Sequence, residues 1–542
     1  MKLRNNALST PAILSVTLGS VLAAPPTEKE LCSANSVEVI NNHPETWPYQ
    51  SFVSSERNPP WLSINRTGEA LAPGFIFLAQ DAGFSNSSIK EQSPLIMTSD
   101  GNLVWAGPRV SGTTNFRTQT LFGEPVLTFW EGSGAAANSQ NAGHGFGSVR
   151  IFDKSYKQIY NVCPKLDIVL PPGATASCKA DIHESYITEQ NTILVTAYNI
   201  TTTDLTSVGG PKKGYVYDSL AVEVDVKTGE VLWTWSPVAH VPVNASHLPL
   251  DGAGQNTSNP WDWFHMNSIQ PFEGNYLINS RSAWSTYLVK PSGEIIWHIN
   301  GEDGGDFGKL PDGGHFSWQH MARIERESSN KVKLHYFANN NDEPVTTVPS
   351  TGVELCLTLP PDPSNPPELL KDLSDPKNPV VVYAEGSYTP LENGNTLMGY
   401  GVQPFIKEFG PNPTGADVRW SAQFGFDPYG AGSYRAYKSE WSAIPSTKPS
   451  LVAKKITGSD KLTSCAGSSK LRGYVSWNGA TDVEEYKVYA GDSKTDLKEV
   501  GEVLKRGFET VFSLPAGVKF VSVGAVVKGN STATMSKVVA VD

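Results

Sequence analysis

The chain has 542 residues, a formal net charge of −11, 39% hydrophobic residues, and high counts of Gly (48), Pro (39) and Trp (14). That length accommodates one large body and a smaller module. The scattered basic residues, with Pro211-Lys212-Lys213 as one short run, exclude a nucleic-acid-binding stripe, and no window beyond the N-terminus approaches the roughly 20 apolar residues of a membrane-spanning helix.

Residues 1–23 read as a signal peptide. Lys2 and Arg4 supply the positive end, Pro11 to Ala23 a short apolar stretch, and Val21-Leu22-Ala23 small-residue cleavage chemistry. Secretion, or residence in the secretory pathway, is therefore expected. Asn65, Asn86, Asn199, Asn244, Asn256 and Asn530 each open an Asn-x-Ser/Thr triplet and become candidate glycan sites in that setting. Of the five cysteines, Cys163 and Cys178 are near enough in sequence to bridge a loop or hairpin, and the odd count leaves at least one thiol free or paired elsewhere.

From about residue 50 to 450 one cadence returns: a Gly turn, then an apolar strand that often ends in Trp. It occurs at 100–105, 228–233 and 292–297, and without the Trp at 273–278 and 393–398. An x-Gly turn between apolar strands marks a hairpin. Irregular repetition over this span predicts small sheets arranged radially, an all-β propeller over residues 24–450. Residues 357–380, rich in Pro and Asp, read as a surface loop, with a short helical stretch around Glu368 to Leu373. Residues 465–542 follow a strand–Trp–loop–Tyr-x-Val-Tyr order that resembles a fibronectin type III sandwich, with Trp477 as its core anchor.

No histidine follows His335, so imidazole chemistry belongs to the propeller. The informative stretch, 260–325, holds His265, Asn267, Arg281, His320 and Arg323. Residues at i and i+2 of a strand share a face, which predicts that His265 and Asn267 point together. Two imidazoles, an amide and guanidinium groups converging at the propeller axis suit an anionic oxygen cluster, and imidazole can take a phenol's proton or attack a sulfuryl centre. His183, Trp263, Trp318 and Arg435 are further candidates for the pocket. Each of these side chains also has a bland reading as a structural hydrogen-bonder between blades. His144 and His240 read as structural. The turn Glu302 to Asp306 has carboxylates that could hold calcium but lacks a full calcium-loop pattern, and a solvated turn is expected. No metal or cofactor is expected, and oligomeric state stays open.

The segments Trp261-Asp-Trp-Phe-His-Met-Asn-Ser-Ile269, Asn275-Tyr-Leu-Ile-Asn-Ser-Arg-Ser282 and Ser317-Trp-Gln-His-Met-Ala-Arg-Ile324 resemble the central motifs of the arylsulfotransferases, the fungal branch in particular. The resemblance extends from Pro59-Pro-Trp61 and Ala72 to Phe77, through Asp181-Ile-His-Glu184, to Asn393 to Leu397. It implies a six-bladed propeller and sulfate transfer between phenolic esters without a nucleotide donor, with His265 and His320 matching active-site histidines. The bacterial members carry sulfate covalently on a histidine late in the propeller, which this chain lacks. His265 or His320 as nucleophile, direct transfer, or other chemistry on the same fold all stay open.

Three functions therefore compete. One is an arylsulfotransferase-like enzyme acting on a small aromatic or phenolic compound. A second is a cyclase of secondary metabolism, of pericyclase or Diels–Alder type, that folds a polyketide or terpenoid by hydrogen-bond activation in the same pocket. The third is a secreted propeller that only binds.

Overall fold

The computed structural model describes residues 31–41, 45–80, 89–110, 112–134, 143–343, 348–413, 415, 417–427, 430–456, 462, 469–529 and 532–542. The signal-peptide stretch, Asn86, Asn530 and Cys465 lie outside them. The described chain is all-β, with four short 3-10 turns as its only helical pieces. Each Gly turn read from the sequence closes a hairpin. Gly101 and Gly293 sit at φ +81° and +93°, a conformation that a side chain would strain, and each joins two apolar strands.

Six antiparallel sheets follow one another along the chain. The second comprises Thr113–Leu121, Glu124–Gly134, Gly145–Phe152 and Gln158–Val162; the third, Ser185–Ile187, Thr192–Thr203, Gly214–Asp225 and Val231–Trp235. The fourth runs from Met266–Phe272 through Asn275–Ser280 and Ser285–Val289 to Ile295–Asn300. The fifth runs from His320–Ser328 through Lys331–Ala338 and Thr351–Thr358 to Glu368–Leu373. The sixth holds Ser387–Pro390, Thr396–Gly399, Phe405–Phe409 and Val418–Gln423, and takes Ser63–Arg66 as an outer fifth strand. The first sheet is built from both ends of this region, because Tyr437–Ser439 pairs with Phe75–Ala79, which continues into Pro94–Met97 and Leu103–Ala106. Each sheet touches the next, and the closing strand of the first touches both the second and the sixth, so the ring is complete.

Two corrections concern local structure. Glu368–Leu373 is a strand, not helical, and pairs with Gly352 to Cys356 as the outer strand of the fifth sheet. The Pro/Asp-rich excursion is thus a loop on either side of this strand, at 359–367 and 374–380. Beyond the ring, two further sheets, one of them built on Ser450–Lys455, Leu471–Ser476 and Glu509–Ser513, share a core that includes Trp477, Tyr486, Val503 and Val523. Ser33–Asn35 pairs with Glu509–Ser513, so a segment from near the start of the chain completes a sheet near its end. Cys163 and Cys178 form a disulfide, Cys32 is also disulfide-bonded, and Cys356 is a buried thiol.

A buried ion cluster ties the ring together. Glu184, just before the third sheet, receives Arg323 of the fifth at 2.6 Å, Arg435 of the closing segment at 3.0 Å, and lies 3.6 Å from Arg117 of the second. The amides of Ser185 and Ile269 also donate to it. Burial opposes ionisation of this carboxyl, but the three guanidiniums outweigh it and hold Glu184 down at about 2. Its charge therefore stabilises the fold above the ordinary carboxylate range, and that contribution is lost as pH falls through about 2. Glu184→Gln leaves three guanidiniums facing a neutral amide, and we expect a loss of about 3–5 kcal/mol in urea unfolding at pH 7. A loss below about 1 kcal/mol would mean that ring closure does not depend on this charge.

Candidate functional site

The inner strand of each sheet begins at the same end of the ring, and the polar side chains gather there. His183 precedes Ser185–Ile187, His265 precedes Met266–Phe272, His320 opens His320–Ser328, and Tyr434 and Arg435 precede Tyr437–Ser439. The backbone is irregular at this rim. His265, Trp318, Met321, Asn115 and Glu385 all have φ between +51° and +66°, and the pairing register shifts at Met266/Ser268, His320/Arg323 and Thr114/Arg117. Bulges and left-handed residues re-aim side chains, and strain of this kind collects at functional sites.

Two imidazoles are oriented by carboxylates. His265 Nδ1 donates to Asp262 Oδ2 at 2.5 Å, and His183 Nδ1 donates to Asp181 Oδ2 at 2.5 Å. The two rings stand 4.8 Å apart, edge to face. Among the described residues neither Nε2 atom has a hydrogen-bond partner, and neither is sealed from solvent. Burial dominates at His265 and draws it down to about 3 despite the Asp262 carboxylate, so the ring is a neutral base at pH 7. Asp181 and Asp262 are held below the usual carboxylate range: burial works against ionisation, and His183 and His265 respectively lead the groups that overcome it.

His144, read from the sequence as structural, packs against this group. It is buried, with ring centroids 5.1 Å from His265, 5.6 Å from His183 and 3.5 Å from Tyr198. Its Nε2 lies 3.2 Å from Asp262 Oδ1 and its Nδ1 3.9 Å from Asp181 Oδ1. Ligand atoms of His144, Asp262 and His265, and of His144, Asp181 and His183, come within 4.8 Å of one another, as in transition-metal sites. Two ligands of one zinc ion, each bound at about 2.0–2.2 Å, stand ~3 Å or more apart. The 2.5 Å imidazole–carboxylate contacts leave no room for an ion between the paired atoms. The set comprises two carboxylate-oriented imidazoles with the His144 ring packed between them, and His144 makes no hydrogen bond to either carboxylate.

The remaining candidates fall into two groups. Arg281 lies beside the dyads: its amide donates to the His265 carbonyl, one Nη donates to the Tyr383 carbonyl at 3.1 Å, and its guanidinium stacks over Trp318 at 4.8 Å. Among the described residues no carboxylate stands within ion-pairing distance of it. The Tyr434 ring lies 5.8 Å from His183, and its buried hydroxyl has no hydrogen-bond partner among the described residues.

The other candidates are committed to structure. His320 donates from Nδ1 to Asn339 Oδ1 at 2.7 Å and accepts the Glu385 amide at Nε2, so neither nitrogen is open. Arg323 and Arg435 are held on Glu184, and Arg435 also clamps the carbonyls of His183 and Asn267. Asn267 does not share a face with His265, because the left-handed His265 and the register shift after Met266 break strand alternation. It bonds instead to Gln319 and Asn279. Trp263 is core. His240 stacks on Trp235, away from the site, and Asp306 accepts the amide of His298 in a solvated turn. Sequence reasoning passed over Asp181, Asp262 and Tyr434. The Asp-x-His and Asp-x-x-His spacings at 181–183 and 262–265 were the available signal for the two carboxylates.

A family model for arylsulfotransferase (ASST) matches residues 117–425. No curated protein matches. Among solved structures, a protein of unknown function from Bacteroides caccae is 13% identical, with 64% of this chain and 93% of that chain covered, at a TM-score of 0.33. The GH43 BlXynB protein from Bacillus licheniformis is 9% identical, with 80% and 90% covered, at a TM-score of 0.29. Both likenesses are remote. The family match spans more than half of the chain and includes the segments carrying His144, His183, His265, Arg281 and His320; the chain belongs to the arylsulfotransferase family.

Proposed function

We propose that the chain transfers a sulfuryl group between small phenolic compounds without a nucleotide donor, at the rim defined by His183, His265, Arg281 and Tyr434. The observation that carries this reading is Arg281. Arg323 and Arg435 are held on Glu184, whereas Arg281 stands beside an oriented neutral imidazole with no carboxylate in ion-pairing range among the described residues. A guanidinium of that kind binds an oxyanion in bidentate fashion, and the Tyr434 hydroxyl adds a donor. His265 Nε2 takes the acceptor's proton while Asp262 stabilises the imidazolium that results. The acceptor oxygen bonds to sulfur as the bond to the leaving aryloxide breaks. His320 braces the rim through Asn339 and Glu385, so transfer is direct and needs no covalent intermediate on that ring.

The ring of sheets suits a six-bladed propeller over most of residues 24–450, and the sheets that include 465–542 suit a sandwich of fibronectin type III kind. Passage through the secretory pathway accords with the Cys163–Cys178 disulfide. Asn65, Asn244 and Asn256 are exposed, as glycan acceptors require, whereas Asn199 is half-buried and accepts the Val169 amide. Glycopeptide mass spectrometry is expected to find glycans at the three exposed sites and none at Asn199.

With p-nitrophenyl sulfate and a phenol, wild type is expected to release nitrophenol and form a sulfated acceptor. His265→Gln is expected to lower kcat by about 100-fold or more, and Arg281→Ala to raise KM for the sulfate ester by about tenfold. Silence from folded protein that still binds an apolar metabolite would favour cyclisation in the same pocket. Tyr434→Phe is expected to leave stability unchanged or raise it by up to about 1 kcal/mol in urea unfolding, because the lost hydroxyl is buried without a partner. The same variant slows transfer if that hydroxyl serves the anion.

A further inference from the structure

A cleft of about 650 Å³ opens on the outer part of the sixth sheet, at the same end of the ring as the histidines. The pairing places it there. Gly399 lies opposite Ser387 of the inner strand, Ile406 opposite Gly399, and Phe405 opposite Gln423, which in turn faces Ser63 of the outermost strand. Residues 378–381 form the other wall, and the same segment continues to Tyr383 and Glu385, which meet Arg281 and His320. The cleft therefore lies outward of the candidate active site. Its volume falls in the range of small-molecule sites.

Its walls are polar, and the one cation on them among the described residues is already neutralised. Lys407 is buried and donates to Asp375 Oδ2 and to the Asn378 carbonyl, each at 2.7 Å. The side chains of Asn65, Asn378 and Asp427 make no hydrogen bond to protein among the described residues, and Gln423 donates to the Gly425 carbonyl while its oxygen stays uncommitted. Beside the cleft stands a patch of exposed aromatic rings. Phe426, next to Asp427 in the chain, is 41% exposed, and Trp61, close to Ser63, is 37% exposed. Trp47 connects them: its ring meets Phe426 edge to face at 5.4 Å, and its Nε1 donates to the Trp61 carbonyl at 2.9 Å. Large aromatic rings grouped in water mark a surface that something covers.

A pyranose ring offers a face of C–H bonds, which packs on an aromatic ring, and a rim of hydroxyls that both donate and accept. The aromatic patch and the polar cleft supply the complement of each. With no uncommitted cation on the walls, an anion gains nothing here, and a purely apolar ligand would bury Asp427 and the amides unpaired. We propose that this cleft is a subsite for a neutral saccharide, seated on Trp61 and Phe426 and hydrogen-bonded through Asp427, Asn378 and Gln423. The proposal does not depend on the sulfuryl-transfer reading. Two sources present the same chemistry: a free oligosaccharide, and the glycan expected on Asn65, whose side chain lines the cleft.

Saturation-transfer NMR of the intact protein with a tetramer of N-acetylglucosamine and a tetramer of glucose tests this, in wild type and in Asn65→Gln, which carries no glycan at that position. Binding of at least one tetramer is expected, with a Kd of about 1 mM, and with saturation concentrated on the C–H protons of the ring that meets the aromatic patch. Trp61→Ala and Phe426→Ala are each expected to weaken binding about tenfold and to leave urea unfolding unchanged, because both rings are exposed. Asp427→Ala is expected to weaken it about fivefold. Binding by wild type assigns the site to a free oligosaccharide; binding by Asn65→Gln alone assigns it to the protein's own glycan. No binding by either protein, unchanged binding in both aromatic variants, or tighter binding of a sulfated tetramer than of the neutral one would each overturn the proposal. Turnover of p-nitrophenyl sulfate is expected to be unchanged in Trp61→Ala, so saccharide binding and sulfuryl transfer are decided separately.

Discussion

The Glu184 carboxylate and its guanidiniums are the constraint on which the rest of the molecule depends. A charge this deeply buried is tolerable only when paired, and its partners come from the second sheet, the fifth sheet and the segment that closes the first. The cluster therefore cannot form until distant parts of the chain are in place. Arg435 extends the constraint to the chemistry. While one nitrogen holds Glu184, the other donates to the carbonyls of His183 and Asn267. The two segments that carry the dyads thus hang from the same cation, and their spacing follows from it.

Holding the rim this tightly permits backbone conformations that would otherwise relax. His265, Trp318 and Met321 are left-handed, non-glycine residues, each carrying a cost of order 1–3 kcal/mol. That geometry turns His265 toward Asp262 and sets Trp318 beneath Arg281. His320 contributes as well: bonded to Asn339, it and Asn339 pin Glu385 through two hydrogen bonds, one to its amide and one to its carbonyl. An imidazole with both nitrogens engaged works as a strut here, and its loss of basicity through burial and the nearby Arg281 charge accords with that role.

The ring was legible in the sequence because its signals are local. An x-Gly turn between apolar runs needs nothing beyond its own hairpin, and the turns at Gly101, Gly229, Gly274, Gly293 and Gly394 all formed where the pattern placed them. Glu368–Leu373 was misread because its Leu and Lys residues favour a helix in isolation, whereas pairing with Gly352 to Cys356 decides the matter. The same limit applies at the site. Residue types singled out His183, His265 and Arg281 as candidates, and the structure brings them to one rim, but period-two alternation failed for Asn267, since no local signal announces a left-handed His265. The position of His144 beside the dyads was not legible because its neighbours Asp181 and Asp262 lie far along the chain.

Residue type alone ranks the arginines and histidines of this rim as equals; their hydrogen bonds do not. Arg323, Arg435, Asn267 and His320 have directed their polar atoms at other protein groups, and a group so engaged must break those bonds before it can meet a substrate. His183 and His265 are engaged at one nitrogen only, which fixes the tautomer and leaves the other lone pair directed outward. Arg281 keeps donors to spare after the Tyr383 carbonyl, and the Tyr434 hydroxyl is uncommitted among the described residues. These uncommitted atoms comprise two imidazole nitrogens, a guanidinium fork and a hydroxyl. The proposed transfer calls for such an inventory, since in it an anionic group passes between two oxygens while one proton passes the other way. The fold supplies the scaffold, and the chemistry lies in the atoms it leaves unspent.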